Sequence, residues 1–405
     1  MVSNNGPDLL VDPSKLLRRN PVGSCPRVAV GMGAFWPGND ASGPNKSLSN
    51  LCAAMANEFD FKVFARSVPF SGLPKIKPTP DRSSSRKFEV IHLEPSSLGL
   101  RGLIAHIRQL KCDLLILNGF FDRDITLPAL FARRFGLLDN PKFLVAPRGE
   151  FLTGALSLKP TRKRLWIAIS KALGLVNNLA FHATSEVEAQ SIRRLFGQDV
   201  LIWVAPNIAE LVDGLAPRHA SPSEKLRIGF VGRLTAVKNL DFAIQALRQV
   251  RAQVHFVIVG PAQDAEYTQL CKEQVQLLPA NVTAEFLGEV PADEIKPILA
   301  TLDLMFLPSK SENFGHAISE ALCSGVPCLI GNETPWKNLE SMRAGWDLPL
   351  SDPAPFSALI DRYANFDANE REQWRLGAMQ AAEIAYRASD AVSLTRLMLH
   401  GLVRC

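Results

Sequence analysis

The sequence predicts an α/β protein of two doubly wound domains, each a parallel sheet covered on both faces by helices, facing each other across a cleft. Three observations predict it. Short apolar runs of strand length alternate with longer stretches of helical period. Many of those runs are apolar throughout, as in strands buried on both faces of a parallel sheet. The alternation stops once, in a stretch rich in Pro, Ala and Ser near the middle, and then begins again.

From Pro26, "RVAVGM" reads as the first strand, "PNKSLSNLCAAMANEF" as the helix after it and "DFKVFARS" as the next strand. "FEVIHLE", "CDLLILNG", "KFLVAPRG", "LAFHAT" and "VLIWVAPN" continue the strands. Between them lie the helical patterns "LRGLIAHIRQLK", "DITLPALFARRFG", "TRKRLWIAISKALGL" and "SEVEAQSIRRLFG". Spacing of this kind implies βαβ units. After the interruption, "KLRIGFVGR", "VHFVIVG", "VTAEFLGEV", "LDLMFL" and "VPCLIG" are strands, with helices between them, and from about residue 353 only helix is expected. The expected organisation is therefore an N-terminal extension at 1–25, a first domain at 26–205 and a linker at 206–224. A second domain follows at 225–385, and a helix at 386–405 is expected to pack back on the first.

The totals exclude several classes. A chain of 405 residues, 47% hydrophobic and 21% charged, is globular and too long for one ordinary core. No apolar run is long enough to span a bilayer, and the first 25 residues lack the apolar stretch of a secretory signal. The seven cysteines stand singly, with no C-x-x-C pair, as in a reducing, cytoplasmic setting. Charge is uneven: residues 1–205 hold 27 Lys+Arg against 16 Asp+Glu, and the remainder 18 against 24. A basic first half suits an anionic partner such as a phospholipid surface or a phosphate-bearing acceptor. No nucleic-acid recognition signature accompanies the charge, so no nucleic-acid partner is expected.

Two stretches carry chemistry. In "FVGRLTAVKNLDFAIQAL" a strand ends at Gly232 and a helix follows, with Arg233 and Lys238 between. Free backbone N–H groups at a helix start, joined by two cations, suit a diphosphate. In "PSKSENFGHAISEALCSGVPCLI" Glu312 and Glu320 bracket the start of a helix, at the end of a strand. Taken singly, a glutamate at a helix N-terminus merely complements the macrodipole. Ligands in such sheets bind outside the carboxyl ends of the strands, and this puts the stretch at the mouth of the expected cleft, where the charged side chains either meet a ligand or are simply solvated.

Together these stretches resemble glycosyltransferase family 4, whose members have the two-domain GT-B fold. "VGRLTAVKN" matches its pattern G-R-x-x-x-x-K-N/G, and Glu312, Phe314, Gly315 and Glu320 match E-x-x-F-G-x-x-x-x-E. The resemblance is strongest between residues 226 and 330. It implies a retaining sugar transfer from a nucleoside-diphosphate sugar to a hydroxyl of a glycan or lipid-linked saccharide. Glu312 would contact the donor sugar, Asn313, Phe314 and Gly315 its sugar and phosphate, and Glu320 the ribose. Arg233 and Lys238 would neutralise the leaving diphosphate in place of a metal. UDP is the default nucleotide and GDP the alternative; neither a metal nor a cofactor is expected. Gly43, in the loop before the first helix, would let the backbone approach the diphosphate.

The chain departs from the family pattern in three places. The glycine loop reads Ser42-Gly43-Pro44 rather than a double glycine. Arg148, in "PRGEF", stands where many members have a histidine; it stays protonated and would bind an acceptor rather than act as a base. His182, in "FHATSE", is expected to be structural. "NETPWKNLESMRAGW" replaces a Gly–Gly segment, so Trp336 and Lys337 are expected to shape the donor pocket. The "PRGEF" and "TPW" variants resemble the branch that assembles bacterial polysaccharides. Rival readings are a GT-B nucleotide-sugar epimerase, a non-catalytic sugar-nucleotide binder, and a dehydrogenase using Gly31, Gly33 and Gly38 of "GMGAFWPG". In "LSLKPTRKRLWIAISKALGL", Lys159, Arg162, Lys163, Arg164 and Lys171 flank Trp166, Ile167, Ile169 and Leu173. This has the character of a helix lying on an anionic membrane, on the inner face of the cell membrane, with Ile169 and Leu173 expected in the core.

Overall fold

The structure, a computed structural model, describes residues 25–35, 42–67, 88–139, 141–156, 160–209 and 225–404. The extension up to residue 24, Gly38, Lys159 and most of the expected linker lie outside them.

Seven strands form the first sheet: β1 (Arg27–Met32), β2 (Asp60–Arg66), β3 (Glu89–Leu93), β4 (Leu114–Asn118), β5 (Lys142–Ala146), β6 (Ala180–Ala183) and β7 (Leu201–Val204). Their order is β3-β2-β1-β4-β5-β6-β7, and every pairing is parallel. Six strands form the second: β8 (Leu226–Val231), β9 (Val254–Val259), β10 (Val282–Gly288), β11 (Leu304–Leu307), β12 (Cys328–Gly331) and β13 (Gly345–Leu348). They run β10-β9-β8-β11-β12-β13, again all parallel. The sequence expectation lacked β13. Its four residues open on Gly345 and carry Asp347, too short and too polar a run to read as a strand.

The continuously apolar runs lie where two-sided burial puts them. All of "LLILN" in β4 and "LMFL" in β11 is buried. In both sheets the order reverses between the first strand and the fourth, β1 with β4 and β8 with β11. Loops leaving those neighbours diverge and open a crevice at the strands' carboxyl ends.

The last helix, Ala391–Arg404, follows a break at Ser389–Asp390, a few residues later than the expected boundary at 386. It lies on the first sheet. Met398, Leu399 and Leu402 pack with Val28, Val30, Leu51 and Leu114. Arg396 and His400 meet Glu58 at 2.8 and 2.9 Å.

Helix Pro160–Ala172 is turned differently from the sequence expectation. Ile167 and Ser170 are buried, and Trp166 donates from Nε1 to the Phe120 carbonyl at 3.3 Å. Leu165, Ile169 and Leu173 are 62%, 38% and 43% exposed, so the last two are not core residues. Apolar residues sit on both sides of this helix, and its pattern does not reveal which side the sheet takes.

Candidate active site

Between the two sheets lies a cavity of about 450 Å³, and all nine site residues expected from sequence line it: Gly43, Arg148, Arg233, Lys238, Glu312, Asn313, Phe314, Gly315 and Glu320. They follow the carboxyl ends of strands, most of them on loops, with Glu320 inside the helix His316–Cys323. Arg233 and Lys238 follow β8, Glu312 to Gly315 follow β11, and Arg148 follows β5. Gly43 opens the helix Gly43–Met55 after β1.

On the second domain's side, Lys238 pairs with Glu312 Oε1, and Ser309 Oγ donates to the same oxygen at 2.7 Å. Glu312 Oε2 has no hydrogen-bond partner among the described residues, leaving one carboxylate oxygen for a ligand hydroxyl. Arg233 donates to Gln263 Oε1 at 2.8 Å. Gly315 has φ +79°, and a Cβ there would stand 3.0 Å from Ile318 and 3.2 Å from Trp336 Nε1, so only glycine fits. Helix His316–Cys323 begins at the next residue, Gly315 is its N-cap, and no side chain caps its first turn. Gly43 is different. Its Cβ would meet only His316, at an ordinary 3.7 Å, so the protein's own packing does not demand glycine there.

Trp336 and Lys337 do not line the cavity. Trp336 is buried behind the loop and donates to the Phe314 carbonyl at 2.9 Å, so it shapes the site only through Phe314 and Gly315. Lys337 is spent on the Asn332 carbonyl.

On the first domain's side, Arg148 is held with a positive φ of 54°. Its Nε donates to Asn118 Oδ1 at 2.8 Å and its Nη1 to Asn207 Oδ1 at 2.7 Å. Asn207 therefore belongs to the site, although its segment was expected to be linker. Burial pushes the Arg148 guanidinium down to about 10, with Glu188 opposing the shift, so it remains a cation at neutral pH. The same burial and the Arg148 charge push His182 down to about 3. His182 lies buried in β6 with its Nε2 2.8 Å from the Ala205 carbonyl, outside the cavity lining.

Glu188 is wholly buried and ties the two sides together. One oxygen accepts from the Gly149 N–H at 2.5 Å, the other from the Thr184 N–H at 2.8 Å and the Thr184 hydroxyl at 2.7 Å. With its proton given to Glu188, Thr184 Oγ1 accepts from Asn313 Nδ2 at 2.9 Å, across the cleft. Two more contacts cross there: Lys46 Nζ to Glu320 at 3.0 Å, and Ser47 Oγ to His316 Nε2 at 2.5 Å. Sequence reading missed Lys46, Ser47, Asn118, Thr184, Glu188, Asn207 and His316.

Gly31 and Gly33 of "GMGAFWPG" have packing reasons of their own. A Cβ on Gly31 would strike Phe64 and Ile125, and one on Gly33 would strike Asp122. The helix after β1 begins only at Gly43, so this is not a dinucleotide fingerprint.

The chain is an α/β protein of the GT-B fold, with a charged cavity between its two sheets. The family model for glycosyl transferases, group 1, matches residues 214–377. Similar curated proteins include an uncharacterised glycosyltransferase of Methanocaldococcus jannaschii, 29% identical over 163 residues. That match takes in 36% of this chain and 40% of the relative. A GDP-mannose-dependent alpha-mannosyltransferase of Corynebacterium glutamicum is 35% identical over 102 residues, 25% of this chain and 22% of the relative. A putative colanic acid biosynthesis glycosyltransferase of Escherichia coli is 28% identical over 160 residues, 37% of this chain and 39% of the relative. The chain thus spans no more than 40% of these relatives. Among solved structures, Anabaena HepE in complex with UDP and glucose superposes with TM-score 0.68 at 17% identity, over 94% of this chain and 100% of that one. Sucrose-phosphate synthase of Thermosynechococcus elongatus gives 0.69 at 17%, over 94% and 98%.

Proposed function

We propose that this protein is a retaining, metal-independent glycosyltransferase. It moves a sugar from a nucleoside-diphosphate sugar to a hydroxyl of a glycan or lipid-linked saccharide, in cell-surface polysaccharide assembly. What carries the reading is the meeting of Arg233, Lys238, Glu312, Gly315 and Glu320 in one cavity at the strand ends, opposite Arg148. The loop after β8 takes the diphosphate between Arg233 and Lys238, and the His316 helix adds its N–H groups. Glu312 orients the sugar and faces the positive charge that grows at the reacting carbon. Glu320 takes the ribose. Arg148, a fixed cation, binds the acceptor, whose proton passes to the departing phosphate on the same face. HepE, crystallised with UDP and with UDP-glucose, shares the fold, and a relative's name points to colanic acid assembly. UDP is our first choice of nucleotide; the mannosyltransferase match keeps GDP in view.

Arg233→Ala and Lys238→Ala should each weaken binding of a nucleoside diphosphate by about 1.5–3 kcal/mol, read by calorimetry. Chelator should leave turnover of a sugar nucleotide unchanged. Loss of turnover on chelation, restored by magnesium, would overturn the metal-independent reading.

The enzyme works against the inner face of the cell membrane. Leu165, Ile169 and Leu173 recur at i, i+4 and i+8 on one exposed helix face, and Arg162, Arg164 and Lys171 are exposed beside them. Lys163 turns inward to the Ala155 carbonyl at 2.6 Å and takes no part. The protein should sediment with phosphatidylglycerol vesicles and not with phosphatidylcholine vesicles, less so as salt rises. Arg162→Glu, Arg164→Glu and Lys171→Glu together should release it with nucleotide binding intact. Indifference of the wild type to anionic vesicles at low salt would point to a soluble acceptor.

A further inference from the structure

His316 has no role in the functional reading so far, yet it lies between the two ends of the proposed donor site. Glu312 and Lys238 mark the sugar and phosphate end, Glu320 the ribose end, and His316 lines the same cavity as the first residue of its helix. Charged groups approach it from every side. Lys46 reaches in from the Gly43–Met55 helix, Arg148 from the loop after β5 and Lys238 from the loop after β8. Glu312 and Glu320, on its own loop and helix, are paired with Lys238 and Lys46.

The hydrogen bonds set the tautomer. Ser47 Oγ lies 3.0 Å from the Gly43 carbonyl and 2.5 Å from His316 Nε2. Both contacts are satisfied when the hydroxyl donates to Gly43 and Nε2–H donates to the hydroxyl oxygen. The basic lone pair is then on Nδ1. Burial, with Lys46, Arg148 and Lys238 around it, pushes this imidazole down to about 3, so the ring is neutral.

We infer that His316 is a proton-coupled contact for the donor diphosphate: a nucleoside-diphosphate sugar entering the cavity draws a proton onto its ring. The inference rests on the donor-site reading above. Burial, and after it the three cations, hold the ring neutral, and a diphosphate opposes the cations by bringing two negative charges among them. Nδ1 takes a proton from solvent, and Nε2–H stays on Ser47. No bond to the sugar forms or breaks. The imidazolium then faces a leaving group whose negative charge grows as its bond to the sugar breaks, before the acceptor's proton reaches it, so the same proton stabilises the departing nucleotide.

The test is calorimetry of UDP-glucose and GDP-mannose binding near neutral pH in buffers of different ionisation heat. The diphosphate diester of a sugar nucleotide does not titrate there, so proton uptake belongs to the protein. Wild type should take up a substantial fraction of a proton per ligand bound, and its affinity should fall with rising pH, toward about tenfold per unit on the acid side of neutrality, and level off at alkaline pH. His316→Gln should bind with no uptake and a flat pH profile. If that variant melts early, Lys46→Met keeps the ring, removes one cation facing it and should move the pH dependence upward. Binding by wild type without proton uptake would overturn this inference and leave the donor site standing. Failure of both sugar nucleotides and of inorganic pyrophosphate to bind would overturn the donor site, and this inference with it.

Discussion

Glu312→Ala is expected to lower turnover by about 10²–10³-fold while changing sugar-nucleotide affinity little, because the carboxylate acts on charge that exists only in the transition state. The geometry gives the reason. Lys238 and Ser309 hold one oxygen of Glu312, fixing the group without using the other. A carboxylate held this way costs no reorganisation as the sugar carbon turns positive. Glu320→Ala should do the reverse, weakening nucleotide binding with a smaller effect on kcat. Comparing kcat with Kd for the two variants checks the division of labour; equal effects would remove it. Product NMR is the companion measurement, since inversion at the anomeric carbon would rule out same-face transfer altogether.

Glu188→Ala should destabilise the protein by about 3–5 kcal/mol, read by denaturant unfolding, although Glu188 does not line the cavity. Removal strands the Gly149 and Thr184 N–H groups in a buried place and takes away the carboxylate that opposes the burial of the Arg148 cation. Glu188→Gln, which keeps the shape and some of the acceptors, should cost less. A loss below about 1 kcal/mol for the alanine variant would mean that water replaces the carboxylate there.

The sequence made the second domain's half of the site legible because that half is local. Arg233 and Lys238 share one loop, Glu312 to Glu320 one loop and helix, and the loops leave strands that end in apolar runs, "IGFV" in β8 and "LMFL" in β11. The first domain's half is assembled from afar. Ser47 meets His316 across 269 positions and Thr184 meets Asn313 across 129, and nothing in one sequence marks such partners. Local signals also mislead. "SEVE" reads as a helix start, and it is one, with Ser185 capping the Glu188 N–H. That same helix start hides the side chain that joins the Arg148 loop to Thr184. Asn207 was missed for a simpler reason: the polar segment that ends a strand and begins a connection looks the same whether or not it turns into a cleft.

The Ala391–Arg404 helix completes the apolar face of a sheet whose last strand ended at Val204. The first lobe is thus built from both ends of the chain, with the whole second lobe inserted between its parts. A fragment cut at residue 205 would keep all seven strands and still be incomplete, with Val28, Val30 and Leu51 stripped of their cover. Truncation at 390 would do the same damage from the other end. The chain therefore crosses between lobes twice, and any rotation of one against the other must pivot on two spans at once. Two tethers permit a hinge and forbid free swivelling. Between those two spans the Asn313, Glu320 and His316 contacts join the lobes across the cleft.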